Sequence, residues 1–247
     1  MANTAFHSEI TGITPAIAEK LTAGSDTEVI YSGRNRLVAF EHDGRRYVAK
    51  MFSRRIKNGL LYMLRESKAK KSFNNAKELL RRGISTPAPR AYYERRGLLN
   101  YLNEACYICD YEESIPLCDA ITGYGDLCLR AFAGFVATLH DRGILHYDLN
   151  NTNVRVTVSS DNEFHFSLID LNRMKFHEPG QQIPLGECFD NLSRFSGFDK
   201  GFITFACEYL RARNLDESRL KELAWIKICH DRAVDRKGAL KRFFRKH

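Results

Sequence analysis

Three residues with the right chemistry for one reaction sit close together in the stretch Leu139 to Val156, LHDRGILHYDLNNTNVRV. His146, Asp148 and Asn153 follow the pattern H-x-D-L-x-x-x-N. Phosphoryl transfer asks little covalent work of a protein. It needs a carboxylate to orient the attacking hydroxyl and take its proton, and oxygen ligands to hold magnesium on the phosphates. Asp148 suits the first role, and Asn153 suits the second through its amide oxygen. Asp170, in the later segment LIDLNR, supplies a further carboxylate for the metal. Lys50, in Val48-Ala49-Lys50, supplies a cation for the α- and β-phosphates of ATP.

The elements expected around these residues put them in a recognisable order. Phe132, Phe135, Val136 and Leu139 recur at helical spacing and stop at Asp141-Arg142-Gly143, so Gly125 to Arg142 reads as a helix closed by glycine. Val154 onward alternates and is β-branched, and Phe164 to Ile169 reads as a second strand that delivers Asp170. A helix, a loop with Asp and Asn, a hairpin and another Asp is the arrangement of protein-kinase-like phosphotransferases.

Upstream, Thr27 to Phe52 reads as three strands joined by turns at Gly33-Arg34 and His42-Asp43-Gly44. Lys50 lies on the third and leaves the sheet on the face opposite Ala49. The Gly33 turn is placed to cover nucleotide phosphates, with Gly33 as the phosphate-contacting position. It departs from G-x-G-x-x-G, since Arg34, Asn35 and Arg36 follow the single glycine. Residues 56–82 read as a basic helix ending at Gly83. Glu66 and Glu78 are both candidates to pair with Lys50, and the spacing selects neither. Thr86-Pro87-Ala88-Pro89 breaks the helix. Strands over 90–95 and 103–110 follow, then a hinge at Asp110 to Glu113, and finally helices near 191–195, over 202–213 and from Glu217. The expected fold is α+β and two-lobed, protein-kinase-like, with a small β-rich N-lobe over 28–110 and a larger, mostly helical C-lobe over 111–247. Residues 1–27 precede it as an extension with no assigned structure.

Composition narrows the partners. The net charge is +8 and the hydrophobic content 44%, enough for a core. Arg54 to Lys71 holds seven basic residues against one acid, and Arg232 to Lys246 repeats that ratio. Such clusters attract anionic partners. No RNA- or DNA-binding motif accompanies them, so nucleic acid is not expected. KGALKRFFRKH sets Leu240, Phe243 and Phe244 amid cations, which suits either an anionic membrane surface or docking on the chain's own domain. The N-terminus lacks a signal-peptide pattern and no apolar run is long enough to span a bilayer, so a cytoplasmic or peripheral location is expected. The seven cysteines are expected to be reduced. Cys106 and Cys109 lie three apart on a strand and so face opposite sides.

HYDLNNTN followed by LIDLNR, with the VAK strand and a helix ending in RRGISTPAP, resembles the Kdo/WaaP lipopolysaccharide kinase family over roughly Glu28 to Phe195. The resemblance implies ATP and Mg2+ as cofactors, Asp148 as base, Asn153 and Asp170 as metal ligands, and Lys50 as the phosphate contact. It implies an anionic glycolipid acceptor at the inner face of the inner membrane, Kdo on a lipid A precursor, with heptose as the near alternative. Tyr147 stands where protein kinases carry arginine, Asn150 where Ser/Thr kinases carry lysine, and Asp-Leu-Asn replaces Asp-Phe-Gly. These departures favour a non-protein substrate. An atypical protein kinase and a non-catalytic nucleotide-binding scaffold are the competing readings.

Overall fold

The computed structural model describes residues 3–9, 18, 21, 27–52, 62–161, 163–195, 197 and 199–243. The chain divides into two compact units. One is Met1–Glu113 with Asp170–Asn172, and the other is Ser114–Ile169 with Arg173–His247.

The first unit is built on an antiparallel sheet of six strands. They are β1 (Asn3–Ser8), β2 (Glu28–Ser32), β3 (Arg36–His42), β4 (Arg45–Met51), β5 (Pro89–Arg96) and β6 (Leu102–Asp110), in the order β1-β5-β6-β4-β3-β2. The β3–β4 turn has Asp43 at φ 49° and Gly44 at φ 70°. Two positive-φ residues make the tight turn that matches the twist of paired strands. On β4 the alternation is plain: Tyr47, Ala49 and Met51 are buried, which leaves Val48 and Lys50 on the other face. One face of the sheet packs Val38, Phe40, Tyr47, Ala49, Met51, Cys106 and Ile108 with Ala18 and Leu21. The other face receives α1 (Lys68–Arg81), whose Ala69 and Phe73 meet Ala105 and Tyr107. Cys106 and Cys109 accordingly fall on opposite faces. All seven cysteines are free thiols, and burial pushes the Cys106 thiol up to about 12.

Two expectations change here. Among the described residues the basic helix begins at Lys68 instead of in the fifties. Residues 62–67 are turn, bend and irregular chain, and Ser67 caps α1 by accepting from the Lys70 amide at 3.1 Å. A serine whose hydroxyl takes an orphan amide favours a start over continuation. Residues 56–61 lie outside the described residues. In the N-terminal stretch assigned nothing from sequence, Asn3–Ser8 pairs with β5 as an edge strand.

In the second unit, β7 (Ile115–Pro116) leads into α2 (Leu117–Asp141). The helix is broken at Gly125, where φ 55° and ψ −135° are open to glycine alone, so the expected helix is its second segment. Gly143 at φ 72° closes it. β8 (Ile144–His146) pairs with β11 (Met174–Phe176), and β9 (Val154–Val158) with β10 (Phe164–Leu168). The core is aromatic: Phe132 of α2 packs on Phe195 and Phe205, with centroids 5.1 and 5.4 Å apart. α3 (Leu185–Leu192) starts directly after Pro184, whose carbonyl accepts from the Glu187 and Cys188 amides, six residues earlier than the 191–195 expectation. α4 (Lys200–Ala212) is capped by Asp199. In α5 (Leu220–Phe243), Leu223 and Lys227 are buried, whereas residues 232–237 are all exposed, and so is Leu240. Of that apolar stripe, Leu240 is the residue described, and it faces solvent. The side chains of Phe243 and Phe244 lie outside the described residues.

Candidate active site

In the first unit, Lys50 and Asp170 meet. Lys50 Nζ donates to Asp170 Oδ1 at 2.7 Å, and both side chains are mostly shielded, at 15% and 21% exposure. The Asn172 side-chain amide donates to the same carboxylate oxygen. Asp170 adopts φ +57°, the left-handed region that costs most residues about 1 kcal/mol or more. That conformation persists because its surroundings fix it. The amide of Asn75, on α1, donates to the Leu171 carbonyl at 2.6 Å. Neither glutamate candidate reaches Lys50. Glu66 accepts from Asn74 at 2.8 Å, and Glu78 is paired with Arg81 and Arg82, which hold its carboxyl down at about 2. In their place, Asp170 pairs with the lysine and Asn75 holds the backbone next to it.

Gly33 lies in the β2–β3 turn, beyond the end where Arg36 pairs with Met51. Its own amide donates to the Asn35 carbonyl at 3.1 Å, so it is already committed within the turn. A Cβ there would come within 2.3 Å of the Tyr31 hydroxyl, so a larger residue would have to push that exposed ring aside. Arg34, exposed at the tip, is the cation this turn offers.

In the second unit the loop Asp148 to Asn153 is held by its backbone. The Asp148 amide donates to His146 Nδ1 at 3.1 Å, which makes that nitrogen the acceptor. The other ring nitrogen, Nε2, then carries the proton and donates to the Ile169 carbonyl at 3.0 Å. Asn150 Oδ1 accepts from the amides of Thr152 and Asn153, closing the turn. Asn153 Nδ2 donates to the Asp148 carbonyl at 2.8 Å, which leaves its oxygen, Oδ1, as the atom available to a cation. The Asp148 carboxylate is 38% exposed, with Arg173 Nη1 3.8 Å away.

A buried chain of hydrogen bonds supports that loop from behind. Asn191 Nδ2 donates to the His146 carbonyl at 2.8 Å, so its Oδ1 is the acceptor for His140 Nε2 at 3.0 Å. His140 Nδ1 then accepts from the Tyr209 hydroxyl at 2.6 Å, and Arg213 donates to that hydroxyl at 3.0 Å. Burial, with the Arg213 charge adding to it, pushes the His140 imidazole down to about 4, so it is neutral. None of these supporting residues was singled out from sequence. Arg173 was visible only as the last letter of LIDLNR. Arg194 was not singled out either, and its guanidinium lies over the Tyr147 ring at 5.4 Å and pairs with Asp190.

Magnesium fits this donor set. It takes oxygen ligands and commonly binds one or two carboxyl or amide groups of a protein together with phosphate and water. Asp170 offers that chemistry in the first unit and the Asn153 amide oxygen offers it in the second, and no cluster of three or more His, Cys, Asp or Glu exists among the described residues.

Residues 27–183 match the model of the lipopolysaccharide kinase (Kdo/WaaP) family. The chain belongs to that family. It is accordingly a member of a family of kinases that act on lipopolysaccharide. A solved structure described as WaaP in complex with acyl carrier protein is similar over 92% of this chain and 98% of its own, at 18% identity and a TM-score of 0.62. The Rio2 kinase from Chaetomium thermophilum, solved as an ADP/Mg2+-phosphoaspartate complex, is similar over 88% of this chain and 76% of its own, at 14% identity and a TM-score of 0.50. Both likenesses establish a protein-kinase-like fold. No curated protein matches the sequence.

Proposed function

We propose that the protein is an ATP- and magnesium-dependent kinase that phosphorylates a sugar hydroxyl of the lipopolysaccharide inner core, with Kdo on a lipid A precursor as the acceptor. The observation that carries this reading is the Asp148–Asn153 loop in a chain of this family. Its backbone is fixed by hydrogen bonds while the Asp148 carboxylate stays open to solvent.

Asp148 orients the acceptor hydroxyl and takes its proton as the oxygen bonds to the γ-phosphorus. The bond from that phosphorus to the bridging oxygen breaks, and ADP leaves with the electron pair. Lys50 would neutralise charge on the α- and β-phosphates, Asn153 Oδ1 and Asp170 would hold the metal, and the Gly33 turn would cover the phosphates. Bound magnesium would offset the charge that the phosphates carry. Arg173 favours Kdo over heptose: it is 62% exposed beside the Asp148 carboxylate, and Kdo is an acid whose carboxylate a guanidinium can bind through two parallel hydrogen bonds. The lipid-borne acceptor places the enzyme on the cytoplasmic face of the inner membrane. None of the described helices is long and apolar enough to cross a membrane. The exposed basic end of α5 suits an anionic lipid surface.

Transfer of labelled γ-phosphate tests this directly, with a Kdo-bearing lipid A precursor, a heptose-bearing core acceptor and total protein offered in parallel. Label in the Kdo acceptor is expected. Label in heptose alone would move the acceptor, label in protein alone would replace the reading with a protein kinase, and ATP binding with no transfer would leave a scaffold.

A further inference from the structure

The hairpin between β5 and β6 ends in two leucines that nothing covers. Leu98 is 82% exposed and Leu99 is 76% exposed. Exposed leucines scattered singly need no explanation. These are adjacent, and the backbone is strained to present them: Leu99 has φ 52° and Asn100 φ 63°, two successive non-glycine residues in the left-handed region. Such conformations persist where surrounding bonds impose them, and they cluster at functional sites. Here the bonds are on view. The Gly97 amide donates to the Tyr101 carbonyl and the Tyr101 amide to the Leu98 carbonyl, at 2.8 and 3.1 Å.

A second segment is tied to the same tip. Arg96 Nη1 donates to the Tyr62 carbonyl at 2.8 Å, and the Asn100 side-chain amide donates to the Met63 carbonyl. The next residue, Leu64, is 98% exposed. Two chain segments, fastened together through Arg96 and Asn100, thus expose three leucines. Charge identifies what covers them. Residues 62–71 carry Arg65, Lys68, Lys70 and Lys71 against Glu66 alone. An apolar wedge beside dense positive charge matches a bilayer with anionic headgroups, where leucines enter the acyl boundary and cations stay at the phosphates.

We propose that the Leu98–Leu99 tip with Leu64 is a membrane-insertion wedge that seats the first unit on an anionic lipid surface. It deepens the kinase reading by bringing the enzyme to a lipid-borne acceptor, and it does not depend on which sugar accepts.

The test uses the full chain with Leu98→Trp in a Trp225→Phe background, so that the only indole reports on the tip. It is mixed with vesicles of phosphatidylcholine alone or of phosphatidylcholine and phosphatidylglycerol. With the mixed vesicles we expect a blue-shifted emission that brominated acyl chains quench, and a weaker response with phosphatidylcholine alone. The double variant L98S/L99S should lose about tenfold or more in vesicle partitioning, yet phosphorylate a deacylated, water-soluble acceptor at the unaltered rate. An unshifted, unquenched tip indole overturns the wedge, whether or not the chain sediments with vesicles. Burial of the indole at high protein concentration without vesicles overturns it in favour of a second copy. Tip insertion without transfer to any sugar would remove the kinase reading and leave the wedge. Transfer to lipid-borne acceptor without insertion would do the reverse.

Discussion

Asp148 in the second unit and Asp170 in the first are the two candidate carboxylates, and they are held in opposite ways. Asp148 is fixed through its main chain, by His146 at its amide and Asn153 at its carbonyl, and its carboxylate is left open with Arg173 3.8 Å away. Asp170 is fixed through its carboxylate, by Lys50 and Asn172, on a backbone bent into the left-handed region. A base must exchange a proton with a passing substrate, so its oxygens have to be free and only its position needs support. A metal ligand must be pre-aimed, and a lysine and an amide on the same carboxylate oxygen fix its direction. The difference in support matches the two different jobs proposed for two residues of the same type.

That contrast can be broken from either side. Asp170→Ala should remove both magnesium-dependent nucleotide binding and transfer, by a factor of about 1,000 or more in turnover. Isothermal titration with and without magnesium, beside a rate assay, checks it. Retention of metal-dependent binding would take Asp170 out of the metal site. Lys50→Met should lower turnover by about 100- to 1,000-fold and weaken ATP, read from steady-state rates over a nucleotide series. The supports of Asp170 should matter less. Asn172→Ala or Asn75→Ala should lower metal affinity by about 10- to 100-fold, seen as a rise in the magnesium needed for half-maximal rate.

The supports behind Asp148 predict a pH effect of smaller size. The His140 imidazole is held at about 4 against an ordinary 6.5, so the unfolded chain takes up the proton first on acidification. Stability from this group is complete above pH 6.5 and falls as the pH drops from 6.5 towards 4. The loss is on the order of 1 kcal/mol per pH unit. Thermal melts between pH 7 and 4.5 should show a falling midpoint, blunted in His140→Gln. A slope the same in both proteins would remove His140 as its source.

The same contrast shows what a sequence reveals. Asp148, Asn153, Asp170 and Lys50 could be picked out because the roles proposed for them demand particular atoms in a fixed order along the chain. Strands such as β3 and β4 were visible because alternation and an Asp-Gly turn are local. The supports were not visible. Asn191, His140 and Tyr209 hold the loop through bonds between residues 45, 51 and 69 positions apart, and each is an ordinary helical residue until the chain folds. The missing glutamate partner of Lys50 had the same cause. The expectation looked along α1 for a carboxylate, whereas the structure answers with Asp170, 120 positions away, and an asparagine on the helix. Edge strand β1 escaped because pairing with β5 depends on a distant partner rather than on its own pattern.

The central claim is that Asp148 acts on the acceptor hydroxyl and not on the nucleotide. The most direct measurement is Asp148→Asn, with turnover and the ATP dissociation constant determined on the same preparation. General-base removal should cost about 100- to 10,000-fold in turnover, with ATP affinity within about twofold of the parent because the loop is held by backbone bonds that asparagine keeps. Near-parental turnover, or a loss of ATP binding that matches the loss of rate, would contradict it.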